Sequence, residues 1–256
     1  ARFLLGNLAD FDPTAHTRAN TTLLAVDAYV LAQVDDLVAR VRDAYERYEF
    51  HVAHRAIVEF VTVTLSALYG DVVKDRTYCD AKDAPRRRAA QLVQYEALRA
   101  ITLLVAPVLC FTAEDIWAHL PKRAGDPASV HVAVYPEGRR LDDGDPQVAA
   151  MQVVLAWRER VNKALEPFRA AKHKSTDAKV TLHASGADGH TLHDFDTRHP
   201  GQLADLLIVS AVAVVNDGTD QIEVAEHGGH RCERCWKWFA ALPATPGDVC
   251  DRCATA

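Results

Sequence analysis

Apolar side chains recur along the first half of the chain in steps of three and four. Leu23, Val26, Val30, Val34, Leu37, Val41, Ala44 and Tyr48 keep that spacing without a break. A stripe of this kind lies on one face of a helix, here of about eight turns. A second helix is expected from Glu49 to Leu68, with Ile57, Phe60, Val61, Thr64, Leu65 and Leu68 turned inward and Gly70 closing it. The polar stretch Lys74-Asp-Arg-Thr-Tyr-Cys79 then leads towards Pro85. A third helix starts near Arg86, carries Leu92, Tyr95, Leu98 and the run Ile101 to Val105, and is stopped by Pro107. Thr112 and Asp115 have the spacing of a capping box for a short helix through Trp117 and Leu120. Long helices joined by short connections imply an antiparallel bundle over residues 1–122, with the stripes as its core.

The pattern changes after Pro121. Residues 123–146 are rich in Pro, Gly and Asp and read as a linker interrupted by one strand-like run, Ser129 to Tyr135. Residues 147–226 open with a helix, Gln147 to Ala171, with a kink expected at Pro167. A small α/β unit follows, with strands expected at Ala178 to His183, Leu206 to Val215 and Gln221 to Ala225. The intervening stretch from Ala184 to His199, rich in Gly, His and Asp, reads as a loop.

Residues 227–256 carry a different chemistry. Cys232-Glu-Arg-Cys235 is followed, after fourteen residues, by Cys250-Asp-Arg-Cys253. Two such pairs can bring four thiolates to the corners of a tetrahedron, the geometry of a structural zinc site. A four-thiolate site is closed to water, so the expectation is one Zn2+ per chain that builds structure and does not catalyse. Two disulfides would suit a secreted chain, but Ala1 begins nothing that resembles a targeting signal. Cys79 and Cys110 stand apart from the cluster, a usage that fits a reducing compartment and a cytoplasmic location. The fold class expected is therefore mainly α: an antiparallel helical bundle, a small α/β unit and a zinc-ribbon-like knuckle.

Trp236, Trp238 and Phe239 follow the second cysteine, and Arg231, Arg234, Lys237 and Arg252 flank the ligands. So short a segment cannot bury three large aromatics within itself. Either they fill a small core under the metal, or they present faces that suit unstacked nucleic-acid bases. The whole chain of 256 residues, with 49% apolar and 25% charged residues and a net charge of −6, reads as ordinary globular protein and not as a general DNA coater. No apolar stretch is expected to span a bilayer. His51 and His54, and His190 and His193, are paired three apart, but neither pair has a carboxylate at a metal-motif spacing. Nucleophile-elbow, P-loop and dinucleotide-binding patterns are missing from the sequence, and no catalytic residue is expected.

The order of these segments resembles the C-terminal third of bacterial-type isoleucyl-tRNA synthetases. Arg2-Phe-Leu-Leu-Gly-Asn-Leu-Ala-Asp-Phe-Asp-Pro13 is similar to the stretch that opens their anticodon-binding helical domain, and Leu68-Tyr-Gly-Asp-Val-Val-Lys-Asp-Arg76 to the connection after its second long helix. Ala106-Pro-Val-Leu-Cys-Phe-Thr-Ala-Glu-Asp-Ile-Trp117 resembles a signature of that domain, and the paired cysteines resemble the module that ends the isoleucyl enzymes. Valyl enzymes share the helical domain but usually finish in a coiled coil. The resemblance implies recognition of isoleucine tRNA through its anticodon arm, with the bundle holding the arm and the zinc module closing over the anticodon loop. Trp236 is then the first stacking candidate, with Arg231, Arg234, Lys237, Trp238 and Arg252 as further contacts and Arg2 on the entering helix. It also implies a monomer whose catalytic and editing domains, which use ATP to activate isoleucine, lie outside this chain. His227-Gly-Gly-His230 matches the H-x-G-H motif of those domains by letters but reads as a linker here, and Lys172-His-Lys-Ser-Thr176 only faintly echoes their lysine motif. Two other readings are a free-standing zinc-ribbon module for DNA, and a structural zinc tail that touches no RNA.

Overall fold

The computed structural model of the protein describes residues 1–244 and 247–256. The chain forms two compact units, Ala1–Thr77 with Lys82–Asp142, and Tyr78–Ala81 with Asp143–Ala256. Helices dominate, and the sheets are small.

The first unit is built from α1 (Arg2–Asn7), α2 (Ala25–Glu46), α3 (Phe50–Glu59), α4 (Gly70–Val72), the start of α5 (Lys74–Cys79), α6 (Pro85–Val105) and α7 (Cys110–His119). The stripe on α2 is core: Val26, Val30, Val34, Leu37, Val41 and Ala44 are all buried. The helix is shorter than its stripe, with 22 residues, about six turns. Tyr48 lies beyond its end, left-handed at φ 59° and 80% exposed. The next helix runs through Gly70 instead of stopping there, because α3 and α4 are joined by a wider π-type stretch, Phe60–Tyr69. The whole of Phe50–Val72 is long and apolar enough to cross a membrane, which corrects the expectation that no stretch is. Core helices satisfy the same criterion, and here Ala53, Ala56, Ile57, Phe60, Leu65, Leu68 and Tyr69 are buried.

The polar stretch after it is itself helical, as α5, and the reason is electrostatic. Arg76 points inward and makes a two-pronged ion pair with buried Asp27, at 2.9 and 3.0 Å. Tyr69 donates its hydroxyl to the same carboxylate at 2.8 Å, and Asp27 also accepts the Leu24 N–H at the start of α2. A buried charge is tolerable only when its lone pairs are filled in this way. At the other edge, Asp10 holds the N-terminal segment to α6 by accepting from Arg87 at 2.8 Å and from Gln91 at 2.7 Å. The Arg87 bond, with burial opposing it, keeps the Asp10 carboxyl well below the usual carboxylate range.

α7 begins two residues before Thr112, with Leu109 at its N-cap and no side-chain cap, so Thr112 and Asp115 do not form the expected box. Ser129 to Tyr135 is no strand: it holds one 3-10 turn, Val130–Val132. Ser129 Oγ and the Val130 N–H donate to Glu114, at 3.0 and 2.9 Å. Further on, Gly138 lies so close to α2 that an added Cβ would come within 2.4 Å of the Ala39 nitrogen. The Arg139 N–H donates to the Asp35 carbonyl there, at 3.2 Å.

The second unit opens with α8 (Pro146–Ala164), capped by Asp145, which accepts the Gln147 N–H at 2.8 Å. α8 ends before Pro167, and α9 (Glu166–Ala170) follows, so the expected kink is a break between two helices. A three-stranded sheet takes the order β2-β1-β3, from β1 (Ala178–His183), β2 (Ala211–Val215) and β3 (Gln221–Glu226). β1 pairs parallel with β2 and antiparallel with β3, with Val180 opposite Val212 and Val224. The crossover between β1 and β2 contains α10 (Gly186–Arg198) and α11 (Gln202–Leu207). α10 occupies the stretch read as a loop, and α11 takes the first part of the run read as one long strand. Leu192 and Phe195 face inward from α10, and Leu203, Leu206 and Leu207 from α11. α8 packs on α10, α11 and β3. A two-stranded hairpin, β4 (His230–Arg231) with β5 (Trp238–Phe239), and a last helical turn, α12 (Asp251–Ala254), end the chain.

Candidate functional site

The hairpin folds around the first cysteine pair. Cys232 follows β4, its N–H donates to the Lys237 carbonyl, and the Trp236 N–H returns to the Cys232 carbonyl, both at 2.9 Å. To close so tight a knuckle, Trp236 adopts a left-handed backbone, φ 61°. The second pair brackets the start of α12. The Cys250 N–H donates to Cys232 Sγ at 3.3 Å, which joins the two halves.

One ligand sulfur from each of Cys232, Cys235, Cys250 and Cys253 lies within 4.8 Å of all the others. Cys235 Sγ and Cys250 Sγ are 3.9 Å apart. A disulfide would need about 2.05 Å, whereas four sulfurs at about 2.3 Å from a central ion stand about 3.8 Å apart. All four thiols are free of disulfides, three of them are buried, and the donor set fits a metal ion. Burial opposes ionisation of Cys232, but backbone N–H donors, those of Cys235 and Cys250 foremost, bring its thiol down to about 6. Burial pushes Cys235 up to about 11 and Cys253 higher still. Only a cation at the centre would make four thiolates stable together.

The flanking candidates separate into two groups. Trp236 projects from the knuckle with 51% of its surface exposed. Arg231 is half-buried and pairs with Glu233 at 3.2 Å. The others are engaged within the protein. Arg234 donates to the Cys253 and Ala256 carbonyls, at 3.2 and 2.8 Å. Lys237 is paired with Asp205. Trp238 donates its ring N–H to Asp177 Oδ1 at 2.9 Å, and its backbone N–H to Ser210 Oγ at 2.7 Å. Arg252 lies 3.3 Å from buried Asp80. Arg2 is exposed on α1, in the first unit.

A family described as the anticodon-binding domain of tRNA ligase matches residues 27–184, more than half of the chain. The chain belongs to that anticodon-binding family. Beyond the matched domain, the chain is similar along its whole length to isoleucine–tRNA ligases. Those of Geobacter sulfurreducens, Syntrophotalea carbinolica and Carboxydothermus hydrogenoformans are 37%, 38% and 39% identical to it. The matches cover 100%, 99% and 99% of this chain, and it spans 28% of the length of each of these curated relatives.

The sequence had hidden several residues that shape the site. Lys174 places its ammonium over the Trp236 ring, 4.2 Å from the centroid. Asp177 binds Trp238 on one side and the Lys174 N–H on the other, the latter at 2.7 Å. Cys79 packs against the cysteine cluster from the short segment that joins this unit. The basic run Lys172-His-Lys174 was visible, but nothing in its spacing linked it to a knuckle some sixty residues on. His227 lies in the connection from β3 to β4 and His230 opens β4, a strand-to-strand setting and not the strand-to-helix turn of a nucleotide-binding motif. His190 and His193 are exposed on α10. A cleft of about 540 Å³ in the first unit has a charged lining, but its Arg18 and Arg123 are already paired with Asp35 and Glu96.

Proposed function

We propose that the chain is the tRNA-recognition portion of an isoleucine–tRNA ligase and binds the anticodon arm of isoleucine tRNA. An antiparallel bundle of the long helices would hold the arm, and the cysteine module would meet the anticodon loop. Cys232, Cys235, Cys250 and Cys253 would hold one Zn2+, whose work is to fix the knuckle and to keep Trp236 projecting from it. Attachment of isoleucine with ATP would belong to catalytic and editing domains elsewhere in the enzyme, which would act as a monomer in the cytoplasm. The observation that carries this reading is Trp236, a large aromatic half exposed on a strained, left-handed turn. Loop bases can unstack onto such a face. Arg231, at the end of β4 in the same hairpin, would be a phosphate or base contact. Arg234, Lys237, Trp238 and Arg252, engaged within the protein, would act by holding the knuckle in place, and Arg2 would be a peripheral contact.

Those internal bonds favour one rival, a structural tail whose side chains serve only to dock the module. Titration of the zinc-loaded chain with isoleucine tRNA, against the same tRNA with an altered anticodon and against duplex DNA, separates the two. Anticodon-sensitive binding is the expected result, and Trp236→Ala should weaken it by about 1–3 kcal/mol. Binding that ignores both the anticodon and Trp236 would leave the structural tail as the better account.

A further inference from the structure

We propose that Lys174 is a second RNA-binding residue, which backs one face of Trp236 and neutralises the phosphate next to the base stacked on its other face. This rests on the reading of Trp236 as a stacking platform and adds to it a residue, a division of the ring's two faces and an electrostatic role.

The geometry comes from a loop outside the cysteine module. Residues 172–177 connect α9 to β1, and Lys172 at its start is left-handed, φ 69°. His173 stacks on Phe168 with centroids 4.6 Å apart, and its Nε2 lies 3.1 Å from Glu226. Lys174 is then pinned by its backbone: its N–H donates to Asp177 Oδ2 at 2.7 Å, while its carbonyl accepts the Asp177 N–H at 2.9 Å. The other oxygen of Asp177 accepts from Trp238, two residues past Trp236. One carboxylate thus sets the loop and the knuckle in register, and the Lys174 ammonium arrives over the Trp236 ring, 4.2 Å from its centroid.

Two consequences follow from that placement. The ring face under the ammonium is taken, so a base must stack on the other. A cation over an aromatic ring gains from the ring's negative face, and a base sandwiched against the same ring brings its own phosphate within the reach of a long lysine stem. The ammonium keeps donors to spare, since a lysine carries three. Lys172 is exposed in the same loop and adds to the positive field. In a chain with a net charge of −6, a local positive charge at the aromatic is what RNA attraction would require.

The test uses the zinc-loaded full chain and an anticodon stem–loop RNA of isoleucine tRNA, with affinity measured over a series of salt concentrations. Lys174→Met keeps the stem and removes the charge. It should lower the salt slope by about 0.7 and weaken binding roughly fivefold at 0.1 M salt, as expected for one lost phosphate contact to a single strand. Lys174→Arg should restore both. Metal content and melting temperature should not change in either variant. Unchanged affinity and slope in Lys174→Met, or tighter binding because the ring is uncovered, would overturn the proposal. If Trp236→Ala still weakens binding in that case, the platform reading survives without Lys174. If the wild-type chain shows no binding of the stem–loop at all, both fall together.

Discussion

His183, at the end of β1, places Nδ1 2.5 Å from Asp217 and Nε2 3.6 Å from Glu223. The Asp217 hydrogen bond, with a smaller contribution from Glu223, raises the imidazole pKa above its ordinary value. Thr219 and then His183 lower the Asp217 carboxyl to about 2. The signs follow from linkage. A raised histidine contributes stability in full below its unfolded pKa of about 6.5 and loses it as pH rises through the folded value. A depressed aspartate contributes above its unfolded pKa of about 3.9 and loses it as pH falls through about 2. The pair should therefore steady the sheet between about pH 4 and 6.5 and release it on either side. Asp217 is exposed and His183 is half-buried at the sheet edge, so solvent screens the pair and the effect is small. NMR titration of the His183 ring should show an elevated pKa that returns towards normal in Asp217→Asn. At this scale the four cysteines were legible, because ligand spacing is local. Lys174 and Asp177 were not, because their partners lie some sixty residues away and no periodicity connects them.

Among the elements, α2 could be read from its stripe, and its true end could not. The apolar steps run on to Tyr48 while the helix stops at Glu46. α5 was missed because its charged residues look solvated, when Arg76 is in fact buried. That inward arginine ties α5 to α2 through Asp27, with Tyr69 as the third member. Asp27→Asn would remove the carboxylate that holds the buried guanidinium at two points. A broken buried pair of this type costs about 3–5 kcal/mol, and urea unfolding followed by the helical signal should show a loss of that order. A cost near zero would mean that water or a neighbouring group compensates Arg76. The α/β unit shows the opposite failure. Leu206 to Val215 is a continuous apolar run, and periodicity cannot say that its first part is helical. The break comes at Ile208, left-handed at φ 57°, where α11 ends. α10 was hidden for a different reason: its Gly, His and Asp residues cover an exposed face, and Leu192 and Phe195 are too few to announce the buried one.

For the molecule as a whole, two units mean that unfolding need not be a single event. Removal of metal with a chelator should free residues 227–256 to proteolysis and change the fluorescence of Trp236 and Trp238. Most of the far-UV helical signal should persist, since the long helices other than α8 belong to the first unit. Cys235→Ala should reproduce this, because structural zinc modules seldom fold without their ion. If that variant keeps both its metal and a protease-resistant tail, the four-thiolate site is wrong. The mainly helical class was evident from the sequence; that Tyr78–Ala81, the end of α5 and the two residues after it, joins the second unit was not, because nothing in its pattern points to the cysteines. That short visit brings Cys79 against the cysteine cluster and Asp80 to Arg252. The cysteine module is therefore not a detachable cartridge. A fragment cut at Asp143 would leave behind Cys79 and buried Asp80, and a graft of the tail onto another protein would carry Arg252 without this acid. During synthesis Asp80 is made long before Arg252, so Arg252 closes a contact whose acid is already in place.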